Sequence, residues 1–154
     1  MAFIMPPIEK IHEAYSSIVD GRVTIANNQA TVLSSDRTKS YLVTWNDNIY
    51  QSNDNGSYWV GYVGYPILAV LMLQGKLPYN ENVASCFKGI KWKKLNMLHQ
   101  NHYSEVVSLI MSNLSQKGIN CDFINNEINT VYCKLQSLDI STKKSSILPP
   151  EDRN

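Results

Sequence analysis

The chain has 154 residues, 44% of them hydrophobic and 18% charged, a composition that fits one soluble globular unit and excludes a membrane protein. A chain this long buries roughly 70% of its unfolded surface, so it needs neither disulfides nor a structural metal to fold. A net charge of +1 gives no global electrostatic drive toward nucleic acid or anionic membranes.

The helical pattern starts at Pro7, which suits the first turn of a helix, where a missing N–H costs nothing. Ile8, Ile11, Ala14, Tyr15, Ile18 and Val19 then recur at helical spacing and mark one buried face. Glu9, Lys10, Glu13 and Ser16 fall on the other, polar face. Asp20-Gly21 closes the helix, with Gly at the left-handed position.

Short strands follow. Residues 22–25 and 29–33 alternate around Ala26-Asn27-Asn28, a tight hairpin. Residues 34–39 form a polar turn. Residues 40–45 and 49–52 alternate around Asn46-Asp47-Asn48, since Asn and Asp tolerate positive φ. The expectation is a four-stranded antiparallel meander with one face buried.

Asn53-Asp54-Asn55-Gly56 leads toward a helix, with a helical turn over 57–62. A calcium loop is a poor fit, because the alternating acidic ligands and the closing Glu are missing. Pro66 opens a helix running to about Gln74, and Gly75 closes it. Ile67, Leu68, Val70, Leu71, Met72 and Leu73 leave almost no polar face, so this helix is central. At 66–73 the run is far short of the roughly 20 residues that span a bilayer.

After Pro78 only helical patterns remain, about four helices. Asn80 caps the first, which ends near Gly89. Residues 91–99 form the second, with Trp92, Leu95 and Leu98 inward. Residues 104–117 carry Val106, Val107, Leu109, Ile110 and Leu114. The last starts at Asn120 or Cys121, with Phe123, Ile124, Ile128, Val131, Tyr132, Leu135 and Leu138 on one face. Residues 141–154 are polar and Pro-rich and read as a disordered tail. The whole is an α+β domain over 1–140, with an α/ββββ/α part at 1–77 and a helical part at 78–140.

Three cysteines, Cys86, Cys121 and Cys133, form no C-x-x-C pair, which argues against a disulfide framework or a zinc knuckle. Cys121 and Cys133 adjoin apolar stripes and read as buried thiols. A reducing, cytoplasmic setting is expected. The first residues lack the basic and apolar regions of a signal peptide.

Residues 40–73 also carry a resemblance. A strand with Tyr41-Leu42-Val43 is followed by a return strand ending at Tyr50-Gln51-Ser52-Asn53, then a loop, then Gly64-Tyr65-Pro66-Ile67-Leu68-Ala69-Val70-Leu71. This order resembles the SWIM zinc-finger-like module: Tyr-x-Val, then Cys-x-Cys, then Cys-x-His followed at once by an apolar helix. Gln51, Asn53, Gly64 and Pro66 stand roughly where the zinc ligands would be, and none of them binds zinc as thiolate or imidazole. The resemblance implies a metal-free variant, packed by aromatics instead, that binds DNA or proteins rather than catalysing a reaction.

Candidate chemistry is sparse. His99 and His102 have a metal-ligand spacing but no third ligand nearby, and His12 lies at the edge of the first helix's apolar face. No Ser/His/Asp arrangement, phosphate loop or paired catalytic carboxylates appears, so no catalytic residue, metal ligand or cofactor is assigned. Between Lys76 and His102, five lysines (Lys76, Lys88, Lys91, Lys93 and Lys94) stand against one acid, Glu81. Lys91, Trp92, Lys93 and Lys94 interleave cations with an aromatic, a pattern that neutralises phosphates and stacks on bases. The same pattern also fits a solvated helix face with Trp92 in the core. The cluster Tyr58–Tyr65, with Tyr58, Trp59 and Tyr62, forms either core or an exposed recognition patch or small pocket.

Two function classes stay open. The first is a non-enzymatic interaction module for a protein or nucleic-acid partner, built from Tyr58, Trp59, Tyr62, Lys91, Trp92, Lys93 and Lys94. The second is a small enzyme or ligand-binding protein with a pocket under the aromatic loop Tyr58–Tyr65, where Tyr50, Asn53 and Asp54 converge. A homodimer that shields the apolar helix is a further expectation; a membrane partner is not.

Overall fold

A computed structural model describes residues 3–151. The first two and last three residues, which belong to the expected absence of a signal peptide and to the expected tail, lie outside the described residues.

Helix α1 (Lys10–Val19) is followed by β1 (Val23–Ala26), β2 (Gln29–Leu33), β3 (Ser40–Asn46) and β4 (Ile49–Ser52). These strands pair antiparallel in chain order, as the alternation predicts. Their turns place Asn28 at φ 57° and Asp47 at φ 53°, left-handed positions that Asn and Asp accept at low cost. Register sets Ala30 against Val43 and Val32 against Tyr41. Those four side chains share one buried face with Tyr50 and Ser52.

A single π-helical turn (Gly56–Val60) leads into α2 (Tyr65–Leu73). Pro66 lies in its first turn, and everything from Pro66 to Met72 is buried. An all-apolar helix must be covered on every side, and α2 is packed by α1, β1, β3 and β4. Gly75 closes it at φ 76°. Four helices follow: α3 (Glu81–Ser85), α4 (Trp92–Leu98), α5 (Tyr103–Gln116) and α6 (Cys121–Gln136). The Asn80 side chain caps α3 by accepting from the Val83 N–H at 3.0 Å, and Asn120 caps α6 in the same way.

The structure differs from the sequence expectation at several points. The sheet has five strands, not four, and is mixed: β5 (Ser141–Thr142) pairs parallel with β4. The Ser141 N–H donates to Asn48 O and the Lys143 N–H to Tyr50 O, each at 2.9 Å. The start of the polar tail therefore covers what would be a bare strand edge. A two-residue strand carries no periodicity to read.

The polar face of α1 is the second difference. Lys10, Glu13 and Ser16 are all buried, as is His12. The remaining departures are surface ones. Leu98, Leu109 and Phe123 face solvent instead of the core. Cys133 is exposed and Cys121 only half-buried. Short or terminal helices have a narrow buried stripe, and a residue one position off it turns outward.

Candidate functional site

The buried polar face of α1 forms the floor of a cleft of about 270 Å³. The cleft runs between α1, the loop before α2, the turn joining β2 to β3, and α4 with the start of α5. Lys10 and Glu13, one helical turn apart, pair at 2.8 Å. Glu13 also accepts from the Asn96 amide of α4 at 3.2 Å. The Lys10 ammonium lies 3.9 Å from the centre of the Tyr103 ring, a cation–π contact. Burial works against the Lys10 charge, but Glu13, then Tyr62 and Tyr103, more than offset it and raise its pKa above 10.5.

Arg22 is only 3% exposed. Among the described residues its guanidinium donates one hydrogen bond, to Leu33 O at 2.7 Å, and its Nε lies 3.8 Å from Asp20 Oδ2. Nε has no hydrogen-bond partner among the described residues. Asn96 Oδ1 is unpartnered in the same sense.

The opposite wall is shaped by two glycines. The Asp54 carboxylate accepts from the Ser52 hydroxyl and from the Ser57 N–H at 3.1 Å, and it packs directly over Gly64, where a Cβ would overlap it. The Tyr62 ring packs over Gly56 in the same way. The wall thus presents Asp54, Tyr62 and Tyr65 to the cleft. Burial, the largest influence on both phenols, pushes their pKa values up. Both phenols are therefore neutral hydrogen-bond donors near pH 7.

The sequence-predicted residues are divided. Tyr62, Trp92 and Lys93 line the cleft. Tyr58 and Trp59 instead line a second, 540 Å³ cavity with Ile4 and Lys144, where Trp59 is 65% exposed. Lys144 Nζ lies 4.5 Å from the Tyr58 ring centre. Lys91 and Lys94 are exposed and line neither cavity. Trp92 is a core residue: its indole N–H donates to Ser16 Oγ at 2.7 Å, and Ser16 donates on to Phe87 O. Lys93 pairs with Asp36 at 3.1 Å and its N–H donates to Ser35 Oγ at 2.9 Å.

Of the trio Tyr50, Asn53 and Asp54, only Asp54 lines the cleft. The Tyr50 hydroxyl donates to Gln74 Oε1 at 2.7 Å and accepts from Lys76 Nζ at 2.9 Å. Asn53 ties β3 to the tail, accepting from the Leu42 N–H at 2.8 Å and donating to Leu148 O at 3.1 Å.

His99 and His102 both approach Glu105, at 3.5 and 3.6 Å. Among the described residues, no group of three or more His, Cys, Asp or Glu gathers to hold a metal ion. No helix among them is long and apolar enough to cross a membrane.

Tyr65 belongs to the aromatic cluster that the sequence singled out; Lys10, Glu13, Arg22, Asn96 and Tyr103 were not singled out by it. Spaced over most of the chain, they form no local motif. The one available signal was the pairing of Lys10 and Glu13 at i, i+3, which is ordinary on any exposed helix.

Fold and site together define an α+β protein with a polar cleft at the junction of its sheet and helical parts. Residues 3–141 match the family described as Uncharacterised conserved protein UCP014422, and the chain belongs to it. That match brings no SWIM-like module with it. No curated protein and no solved structure matches the chain.

Proposed function

We propose that this protein binds a small ligand in the cleft above α1. One observation carries the proposal: Lys10, Glu13, Arg22 and Asp54, all buried, gather around a single concavity. Removing charges from water costs several kcal/mol each, and a structural role returns little of it. A purely structural cluster closes and satisfies its members, whereas this one is open and gives Arg22, beside Asp20, a single hydrogen bond among the described residues. Concave sites with a few converging polar groups and perturbed titratable side chains are where ligands bind.

A thermal-shift panel of small sugars, amino acids, carboxylates, nucleosides and phosphate esters tests it. Met97 lines the mouth and is 69% exposed, so Met97→Trp narrows the cleft without disturbing the core. At least one class should raise the Tm of the native chain and fail to raise that of the variant. Equal responses from both proteins, or none from either, would sink the proposal.

A second reading rests on Trp59, which with Ile4 and Val60 leaves large apolar side chains exposed beside Tyr58 and Lys144. Such a patch fits an interaction module for a macromolecular partner, and the metal-free SWIM-like reading of residues 40–73 belongs with it. In its nucleic-acid form, Lys91→Ala with Lys94→Ala should weaken binding and flatten its salt dependence. Unchanged binding would remove that form.

A further inference from the structure

Hydrogen-bonding capacity around the cleft is lopsided. Both acids on its walls are already engaged. Glu13 holds Lys10 and the Asn96 amide, and each Asp54 oxygen holds a protein donor. Arg22 and three tyrosines are less committed, as is the Asn96 Oδ1 acceptor. Among the described residues only one guanidinium N–H of Arg22 is hydrogen-bonded, and its Nε, sealed from solvent, has no hydrogen bond beyond its 3.8 Å approach to Asp20. The Tyr62, Tyr65 and Tyr103 hydroxyls make no hydrogen bond among the described residues.

A buried guanidinium left with one bond costs stability unless something completes it. The group that does so must offer acceptor oxygens. A cationic ligand would meet Lys10 and Arg22 and find no unengaged acid. A neutral polyol could give its donors to Asn96 Oδ1 and the tyrosine hydroxyls, but it lacks the paired anionic oxygens that a guanidinium fork binds best. An oxyanion brings acceptors alone, and the planar fork of Arg matches two of its oxygens at once. Net charge does not decide the matter, because Asp36 offsets Lys93 and Asp20 stands near Arg22. The uncommitted guanidinium N–H groups of Arg22 do. At about 270 Å³ the cleft sits at the lower edge of ligand sites, which bounds the ligand to a small molecule.

Resting on the cleft as a ligand site, we propose that it takes the oxyanion end of a small ligand, a carboxylate or a phosphate, anchored by Arg22 with the Tyr62 and Tyr65 hydroxyls as further donors.

The test is an NMR titration of the ¹⁵N-labelled full chain at constant ionic strength, with sodium phosphate, sodium acetate and glycerol in separate arms. The Arg22 Nε–H and the amides of Ser35, Asn55 and Asn101 report on the cleft. At least one anion should shift these signals saturably, and glycerol should not. A response to phosphate alone supports a phosphate-bearing ligand, and one to acetate alone a carboxylate. Arg22→Lys keeps the charge and loses the fork, and should weaken binding about tenfold. Tyr65→Phe removes a single hydroxyl and leaves the Arg22–Leu33 bond intact, so it serves if Arg22→Lys fails to fold. It should weaken binding severalfold. Saturable shifts from glycerol but from neither anion overturn the oxyanion assignment and leave the cleft as a ligand site. Anion shifts that lie outside the cleft, or that a folded variant leaves unchanged, overturn it too. If no probe binds, this proposal fails, and the wider panel above decides separately whether the cleft binds anything.

Discussion

Glu13 Oε2 holds the Lys10 ammonium at 2.8 Å, one helical turn away, with both side chains almost out of solvent. Each charge is tolerable only because of the other. Glu13→Leu should therefore cost about 3–5 kcal/mol, since it leaves an uncompensated buried ammonium. The double variant Lys10→Met with Glu13→Leu should lie close to the native chain in urea midpoint. The pair's pH dependence follows from the raised Lys10 pKa. Its stabilisation is fully present below 10.5 and is lost as pH rises through the raised value. Across neutral pH Lys10 should contribute no slope.

His12 predicts a slope on the acid side. It is buried with its ring edge-on to Phe87, centroids 5.3 Å apart. Burial, opposed by the neighbouring Glu9 carbonyl, lowers its pKa from 6.5 to about 4. The unfolded chain thus binds a proton that the folded chain refuses. Stability is complete above 6.5 and falls as pH drops toward 4, by about 3 kcal/mol in all and about 2 by pH 5. His12→Leu should remove that loss. Urea unfolding at pH 7 and pH 5, native chain against variant, checks the difference.

Two glycines hold the far wall of the cleft by steric need. Gly64 has an ordinary φ of −71°, so its requirement comes from the overlying Asp54 carboxylate and not from backbone strain. Gly56 is required in the same way by the Tyr62 ring. Gly64→Ala and Gly56→Ala should each cost about 1–3 kcal/mol through overpacking. Thermal unfolding measures it; an unchanged Tm would show that the wall is looser than described.

Trp92 and Lys94 separate core from surface within one sequence patch. Trp92→Phe removes the bond to Ser16 Oγ and should cost about 1–3 kcal/mol. Lys94 is exposed, and Lys94→Ala should change stability by less than about 0.5 kcal/mol. Denaturation of both variants in parallel gives the comparison.

Much of the fold was legible because its signals are local. Asn28 and Asp47 mark the hairpins with left-handed turns, Pro66 and Gly75 bracket the central helix, and Asn80 caps α3. β5 was not legible, since two polar residues paired by register alone look like tail. Most of the site was hidden for a different reason. Periodicity shows which side of α1 is apolar, but not that α4 and the Tyr62 loop bury the polar side as well. Lys10 and Glu13 therefore looked like solvated residues. Arg22 looked like the start of a strand, while Asp54 was expected in a pocket with Tyr50 and Asn53, and of those three it alone lines the cleft. Tyr62 was singled out for its aromatic ring, while in the structure its uncommitted hydroxyl faces the cleft.

The cleft is tested most directly through its own tryptophan. The chain has three, Trp45, Trp59 and Trp92, and of these Trp92 lines the cleft. Replacing the other two with Phe leaves Trp92 as the sole reporter, and a companion protein keeps Trp59 alone. Any small molecule that raises the Tm should change Trp92 emission saturably and leave Trp59 emission unchanged. A ligand that perturbs Trp59 and not Trp92 would place binding at the exposed aromatic patch and contradict the account.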